Sequence, residues 1–257
     1  MQDVIARVLA EYDPRINPYF ASLERTQSRG NAVDGDAVDG DAVDGFDKDD
    51  FLETQIQFYY AVVFFSRPMA VLAAKIPSAE LRTEVLRNVW EEHGEADPSH
   101  RHGATFLELL NRLGGIEKRD VESRVLWPEL RAFNTTLIGC CTLDDWEVGA
   151  ALLGIIERQF ADISAILGRN IVRLGWIRED RLIHYKLHAE LDIKHSQDFF
   201  DVLAPAWHES TSAAYKIEQG FRLGAHVFDR LYRDLYHARH RRELSTTQRA
   251  QPHIYVE

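Results

Sequence analysis

The chain has 257 residues, 45% of them hydrophobic, with 30 basic against 41 acidic side chains and a net charge of -11. That supplies enough apolar material for one large packed domain or two small ones. The acidic balance argues against nucleic acid or an anionic membrane as partner, because phosphate binding needs clustered Lys and Arg.

Residues 31–45 read NAVDGDAVDGDAVDG, three copies of a five-residue unit with five Asp and no base. Asp and Gly at this density resist both helix and strand, and the unit is too short for a solenoid repeat. The Asp spacings, alternating between two and three, miss the pattern of a calcium loop. The expectation is a disordered, solvated insertion.

From Phe51 onward the chain reads as helix after helix. Residues 51–76 form one long apolar segment, with Pro68 expected to kink it. Pro77 and Ser78 stop that helix and cap the next, over residues 79–94. Asp97 and Pro98 form an N-cap and first-turn pair opening a helix that ends at Gly114 and Gly115. Asp144 with Glu147 resembles a capping box for the helix that follows. Another helix is expected over residues 179–203, and a last one from near Trp207, with Ile217, Phe221, Gly224, Phe228, Leu231 and Leu235 on one stripe. Its basic end, residues 237–244 (HARHRREL), suits the negative end of a helix dipole. Alternating strand patterns are missing, so the expected class is all-α: one domain over residues 1–257, a bundle of roughly seven or eight helices, with a frayed tail at 245–257. The N-terminus has no apolar signal core, and no window of membrane-span length is free of charge, so a cytoplasmic location is expected.

Chemistry concentrates in HAELDIKH, residues 188–195. His188, Asp192 and His195 stand at i, i+4 and i+7, within about 60° of one another on a helix. They form either a solvated face or one wall of a metal site. His188 and His195 lie about 10 Å apart along the axis, which suits two ions better than one. Glu157 sits among apolar neighbours in LLGIIERQF, at the edge of the buried face or inside it, and a buried acid needs a partner. Another acid- and imidazole-rich run is EEHGEADPSHRHG, residues 91–103. A ferritin-like site is disfavoured, because no Glu has a His three residues later.

Asn88, Glu92 and His102, then Glu157, then His188, Asp192 and His195, resemble in order and spacing the haem-oxygenase-like diiron oxidases, a helical family related in fold to haem oxygenase and TenA-type proteins. The resemblance runs from Asn17 through the last helix, with the DAVDG block as an insertion. It implies a haem-oxygenase-like bundle holding two Fe(II), or a manganese–iron pair, on Glu92, His102, Glu157, His188, Asp192 and His195. Glu91, Glu95, His93 and His100 stand close enough to substitute at the first of these positions. The implied activity is O2-dependent oxidation of a small carboxylate- or amine-bearing metabolite, such as an amino acid or fatty acid, by N-oxygenation or oxidative C–C cleavage.

The expected partners are the substrate and an electron donor, with homodimer formation open. Haem is disfavoured, since every His lies at residue 93 or later. A TenA-like hydrolase, or a non-catalytic protein of the same fold, is the alternative. It would use Cys140 or Cys141, although apolar neighbours suggest buried structural thiols. The aromatic stretch from Phe58 to Phe65 is expected to contribute pocket walls. Tyr59, Tyr60 and Phe64 are candidate substrate contacts, and Arg222, Arg67, Lys216 and Arg230 are candidate carboxylate clamps.

Overall fold

The computed structural model describes residues 1–27 and 46–245, so the expectations for the DAVDG block and for the tail beyond Ser245 fall outside the described residues. Among the described residues ten α-helices follow one another: α1 (Gln2–Glu11), α2 (Pro18–Arg25), α3 (Lys48–Lys75), α4 (Ala79–Glu92), α5 (His102–Gly114), α6 (Lys118–Glu122), α7 (Pro128–Leu143), α8 (Trp146–Arg173), α9 (His184–Glu209) and α10 (Thr211–Ala238). The class is the all-α bundle expected, and the larger count includes the short helices α1, α2 and α6. Among the described residues the only extended pairing is an isolated antiparallel bridge between Arg124 and Leu244.

Local chemistry sets most helix ends. Asp47 accepts from the Asp50 amide (2.7 Å) and Ser78 from the Leu81 amide (3.4 Å), satisfying N–H groups that the first turn leaves bare. Gly115 closes α5 in the left-handed region, at φ 70°. Several boundaries differ from expectation. Asp97 caps only a short 3-10 turn, Pro98–His100, and α5 begins afterwards at His102. Asp145, not Asp144, precedes α8, and it makes no side-chain cap. The last helix begins at Thr211 because Ser210 caps it, accepting from the Ala213 amide at 3.1 Å. The helix before it therefore continues through Pro205 to Glu209.

α3 is buried on nearly every side. It is long and apolar enough to cross a membrane, but 72% of its most apolar stretch lies inside the fold. Its buried amides are satisfied internally: Gln57 donates to the Val125 carbonyl (3.1 Å) and accepts from the Trp127 amide (3.0 Å). α8 packs most extensively against α9 and α10. Glycines make that contact tight. A Cβ on Gly154 would lie 2.7 Å from Cβ of Phe199, and one on Gly224 would lie 2.5 Å from the Leu152 carbonyl. Gly154 is one turn before Glu157 and Phe199 one turn after His195, so this approach presses the acid of α8 onto the polar stripe of α9.

Candidate metal centre

Four helices deliver the predicted donors. Glu92 is the last residue of α4 and His102 the first of α5. The chain between them reverses through Gly94, Glu95 and Ala96, all at positive φ (74°, 52° and 76°). Glycine adopts this conformation freely, whereas the other two hold it against a steric cost. A Cβ at Gly94 would also sit 2.4 Å from the Asp97 carbonyl oxygen. This reversal places His102 Nδ1 2.7 Å from Glu92 Oε2. α8 contributes Glu157, and α9 contributes His188, Asp192 and His195.

All six side chains are buried, Asp192 and His195 completely. His188 Nδ1 lies 2.9 and 3.1 Å from the two Asp192 oxygens. His195 Nδ1 lies 3.9 Å from Asp192 Oδ1 and 4.0 Å from Glu157 Oε1. The rings of His102 and His188 meet edge to face, with centroids 4.4 Å apart. Glu92, Glu157 and His195 bring one donor atom each within 4.8 Å of one another. Ligands about an ion with bonds near 2.1 Å stand roughly 3–4 Å apart. Asn88, one turn before Glu92, is buried with both side-chain amide atoms lacking hydrogen-bond partners.

Burial dominates the electrostatics. It pushes the Glu157 carboxyl well above the ordinary carboxylate range, with Asp192 and Glu92 adding repulsion. It raises Asp192 likewise, against the opposing pull of His195 and His102. Burial and the neighbouring His102 hold His188 well below its usual value. Glu92 alone among the three acids is lowered, because its charge and hydrogen-bond interactions with His102 outweigh the cost of burial.

Two of the three acids in the donor set, Glu157 and Asp192, therefore resist ionising. Three atoms of the set, Glu157 Oε1, His188 Nε2 and His195 Nδ1, have no hydrogen-bond partner. Each such buried atom costs about 1–3 kcal/mol. A cation held among Glu92, Glu157 and His195 would draw on the bare atoms of the last two and favour the ionised acids, so the residues present fit a metal. Mixed carboxylate and imidazole donors suit iron or manganese.

Beside the cluster lies a small cavity of about 40 Å³. Glu92, His102, Glu157 and His188 line one side, and Phe58, Phe65, Phe133, Phe160 and Phe228 much of the rest. Tyr59, Tyr60 and Phe64 do not line it. The Tyr60 hydroxyl donates to the Val121 carbonyl (2.9 Å), and Tyr59 packs against Tyr60 and Phe106. Of that aromatic stretch, Phe58 and Phe65 line the cavity instead. Arg222 is half-exposed and paired with Glu218 (2.9 Å) and Glu11 (3.3 Å), so it is no clamp for a ligand in the cavity. Lys216 and Arg230 are likewise engaged, with Asp145 and Asp234. Arg67 lies with Arg101 and His93 in an outer cleft that shares Val62, Glu92 and His102 with the cavity.

Sequence reasoning missed His184. It is fully buried, lines the cavity and packs 4.2 Å from His188, centroid to centroid. Its Nδ1 lies 2.9 Å from Thr105 Oγ1, which donates to the His102 carbonyl. The hydroxyl therefore accepts from Nδ1–H, and Nε2, which has no partner, is left as a bare acceptor. The signal was present, since His184 is one turn before His188. Cys140 and Cys141 are buried free thiols away from the cavity. Burial raises both, Cys140 to about 11, the reverse of what a nucleophile requires.

The comparisons agree with this geometry. The profile of a family described as iron-containing redox enzymes matches residues 52–229. The chain belongs to that family. Two solved structures share its fold. A CADD-like protein of unknown function from Nostoc punctiforme is 13% identical, with a TM-score of 0.68 over 92% of this chain and 95% of that one. A domain of unknown function with a heme oxygenase-like fold, from Shewanella denitrificans, is 13% identical, with a TM-score of 0.69 over 92% and 91%. A search of the curated proteins found no match.

Proposed function

We propose that this member of the iron-containing redox family is a non-haem diiron enzyme that uses O2 to oxidise a small carboxylate- or amine-bearing metabolite. The observation that carries the proposal is the set of three unpartnered donor atoms, on Glu157, His188 and His195, within a buried cluster of three carboxylates and three imidazoles. In this reading Glu92, His102, Glu157, His188, Asp192 and His195 hold the metal. Two ferrous ions so held would supply electrons for reducing O2, and anionic oxygen ligands favour the higher oxidation states that follow.

The chain's own residues do the rest. The phenylalanine walls keep water from the reacting groups and confine the oxidant to the bound substrate. With six donors committed to metal, His184 Nε2 is the polar side-chain atom left facing the cavity, and it accepts a hydrogen bond from a substrate N–H or O–H. Among the described residues no Lys or Arg lines the cavity, so a substrate carboxylate that does not meet metal turns to the outer cleft of Arg67 and Arg101. N-oxygenation and oxidative C–C cleavage both suit such a pocket.

Anaerobic addition of Fe(II) followed by a pulse of O2 tests this reading. It expects two iron ions per chain and a transient visible absorption band with uptake of O2, all lost in His188→Ala and Asp192→Ala. Iron bound without any response to O2 would refute an oxidase, and no iron uptake would refute the metal centre itself.

A further inference from the structure

Glu91 precedes Glu92 but faces a different partner. Its Oε2 lies 2.6 Å from Nε2 of His195. An ionised carboxylate only accepts, so this contact requires the proton of the neutral imidazole to sit on Nε2, leaving Nδ1 bare. That Nδ1 is the unpartnered atom that looks into the cluster, toward Asp192 and Glu157. His188 is arranged the other way round: its Nδ1 is engaged by Asp192 and its Nε2 is unpartnered. His188 and His195 thus present opposite ring nitrogens, each selected by a carboxylate.

Glu91 is itself held from the outside. Lys194 Nζ donates to its two oxygens at 2.8 and 3.2 Å. Arg87 Nε stands 3.9 Å away, and Arg87 is tied in turn to Asp198 at 2.9 Å. The Glu91 side chain is only 14% exposed and that of His195 is fully buried, whereas that of Lys194 is 49% exposed. A charged network therefore runs from solvent to the buried ring.

We infer that Glu91 is the positioning residue of His195, fixing its tautomer and ring orientation so that Nδ1 serves as the metal donor. This rests on the metal-centre reading above. Carboxylates behind metal-bound imidazoles raise ligand basicity, and their loss weakens metal binding by about 10–100-fold. The bland alternative is a surface ion pair between α4 and α9, for which Lys194 would matter as much as His195.

Titration of the full chain with Co(II), in competition with a chromophoric chelator, separates the two. The wild type should bind two ions. Glu91→Ala should weaken the site at His195 by about 10–100-fold and change the visible Co(II) spectrum. Glu91→Gln, whose amide oxygen still accepts from Nε2–H, should fall between it and wild type. Lys194→Ala should stay within about twofold of wild type, since it removes only an exposed ion pair. Metal-free melting temperatures should stay close to wild type for Glu91→Gln and Lys194→Ala and fall modestly for Glu91→Ala, which leaves the buried Nε2–H without its partner. Glu91→Ala with wild-type affinity and spectrum overturns the inference while leaving the metal centre intact. Equal losses in Lys194→Ala and Glu91→Ala also overturn it, in favour of the surface ion pair. A wild type that binds no Co(II) removes both readings.

Discussion

Replacing Glu157 with Gln separates what the acid does for metal from what it does to the empty fold. The buried carboxyl is pushed well above the ordinary range, chiefly by desolvation. An acid raised in this way favours the folded state fully below its unfolded value, about 4.3, and that contribution is lost as pH climbs toward the folded value. The glutamine does not titrate. Crossing the interval from about pH 4.3 to pH 7 sets a ceiling of about 3.7 kcal/mol on the difference. Asp192 is raised by the same burial and shares the penalty, so about half of that, roughly 2 kcal/mol, is expected. For a chain of this size that is roughly 4–8 °C in melting temperature. Metal-free Glu157→Gln should therefore melt with wild type near pH 4 and above it at pH 7. Metal should act in the opposite sense: at a hundredfold excess over Kd the wild type gains about 2.7 kcal/mol, most of which the variant should lose. Differential scanning fluorimetry across pH 4–8, with and without Co(II), reads both effects. A variant that is less stable than wild type at every pH, or that keeps the full metal-dependent rise, would refute the reasoning.

Gly94→Ala should lower metal affinity and cost about 1–3 kcal/mol of stability, because φ 74° and a 2.4 Å approach to the Asp97 oxygen leave no room for a Cβ; urea unfolding and metal titration check this. His184 is held well below its usual pKa by burial and by its neighbour His188, so its contribution to stability is present above about pH 6.5 and lost as pH falls. His184→Phe should therefore flatten the acid side of the metal-free stability profile while still binding two ions, as urea titrations between pH 5 and 7 and metal analysis would show. Arg222→Ala should leave metal binding and O2 uptake unchanged and cost less than about 1 kcal/mol, since it removes only exposed ion pairs; a large loss of O2 uptake would place it back at the substrate.

The α9 stripe was legible because helical offsets alone put His188, Asp192 and His195 on one side, and His184 extends the same stripe by a turn. The pocket wall on α3 obeys the same rule in retrospect: Phe58, Ala61, Val62 and Phe65 stand at i, i+3, i+4 and i+7. Tyr59 and Tyr60 lie about 100° and 200° further round the helix. Composition favoured the tyrosines for their hydroxyls, and position decided for the phenylalanines. The approach of His102 to Glu92 was not legible. It depends on a reversal in which Glu95 and Ala96 take conformations their side chains disfavour, and local propensity cannot announce that. Which of Glu91 and Glu92 pairs with His195 and which with His102 was equally hidden, because neighbouring glutamates at the end of a helix differ only in the direction they point.

The crevice between α8 and α9 has its width set by bare backbone at Gly154, one turn from Glu157, rather than by any ion. If the centre holds metal as proposed, spacing fixed in advance would make it a gauge of ionic radius. An added methyl at that glycine would wedge the rods apart without altering a single donor, and the ratio of manganese to iron taken up from an equimolar mixture should then rise, because the larger ion suits the wider gap.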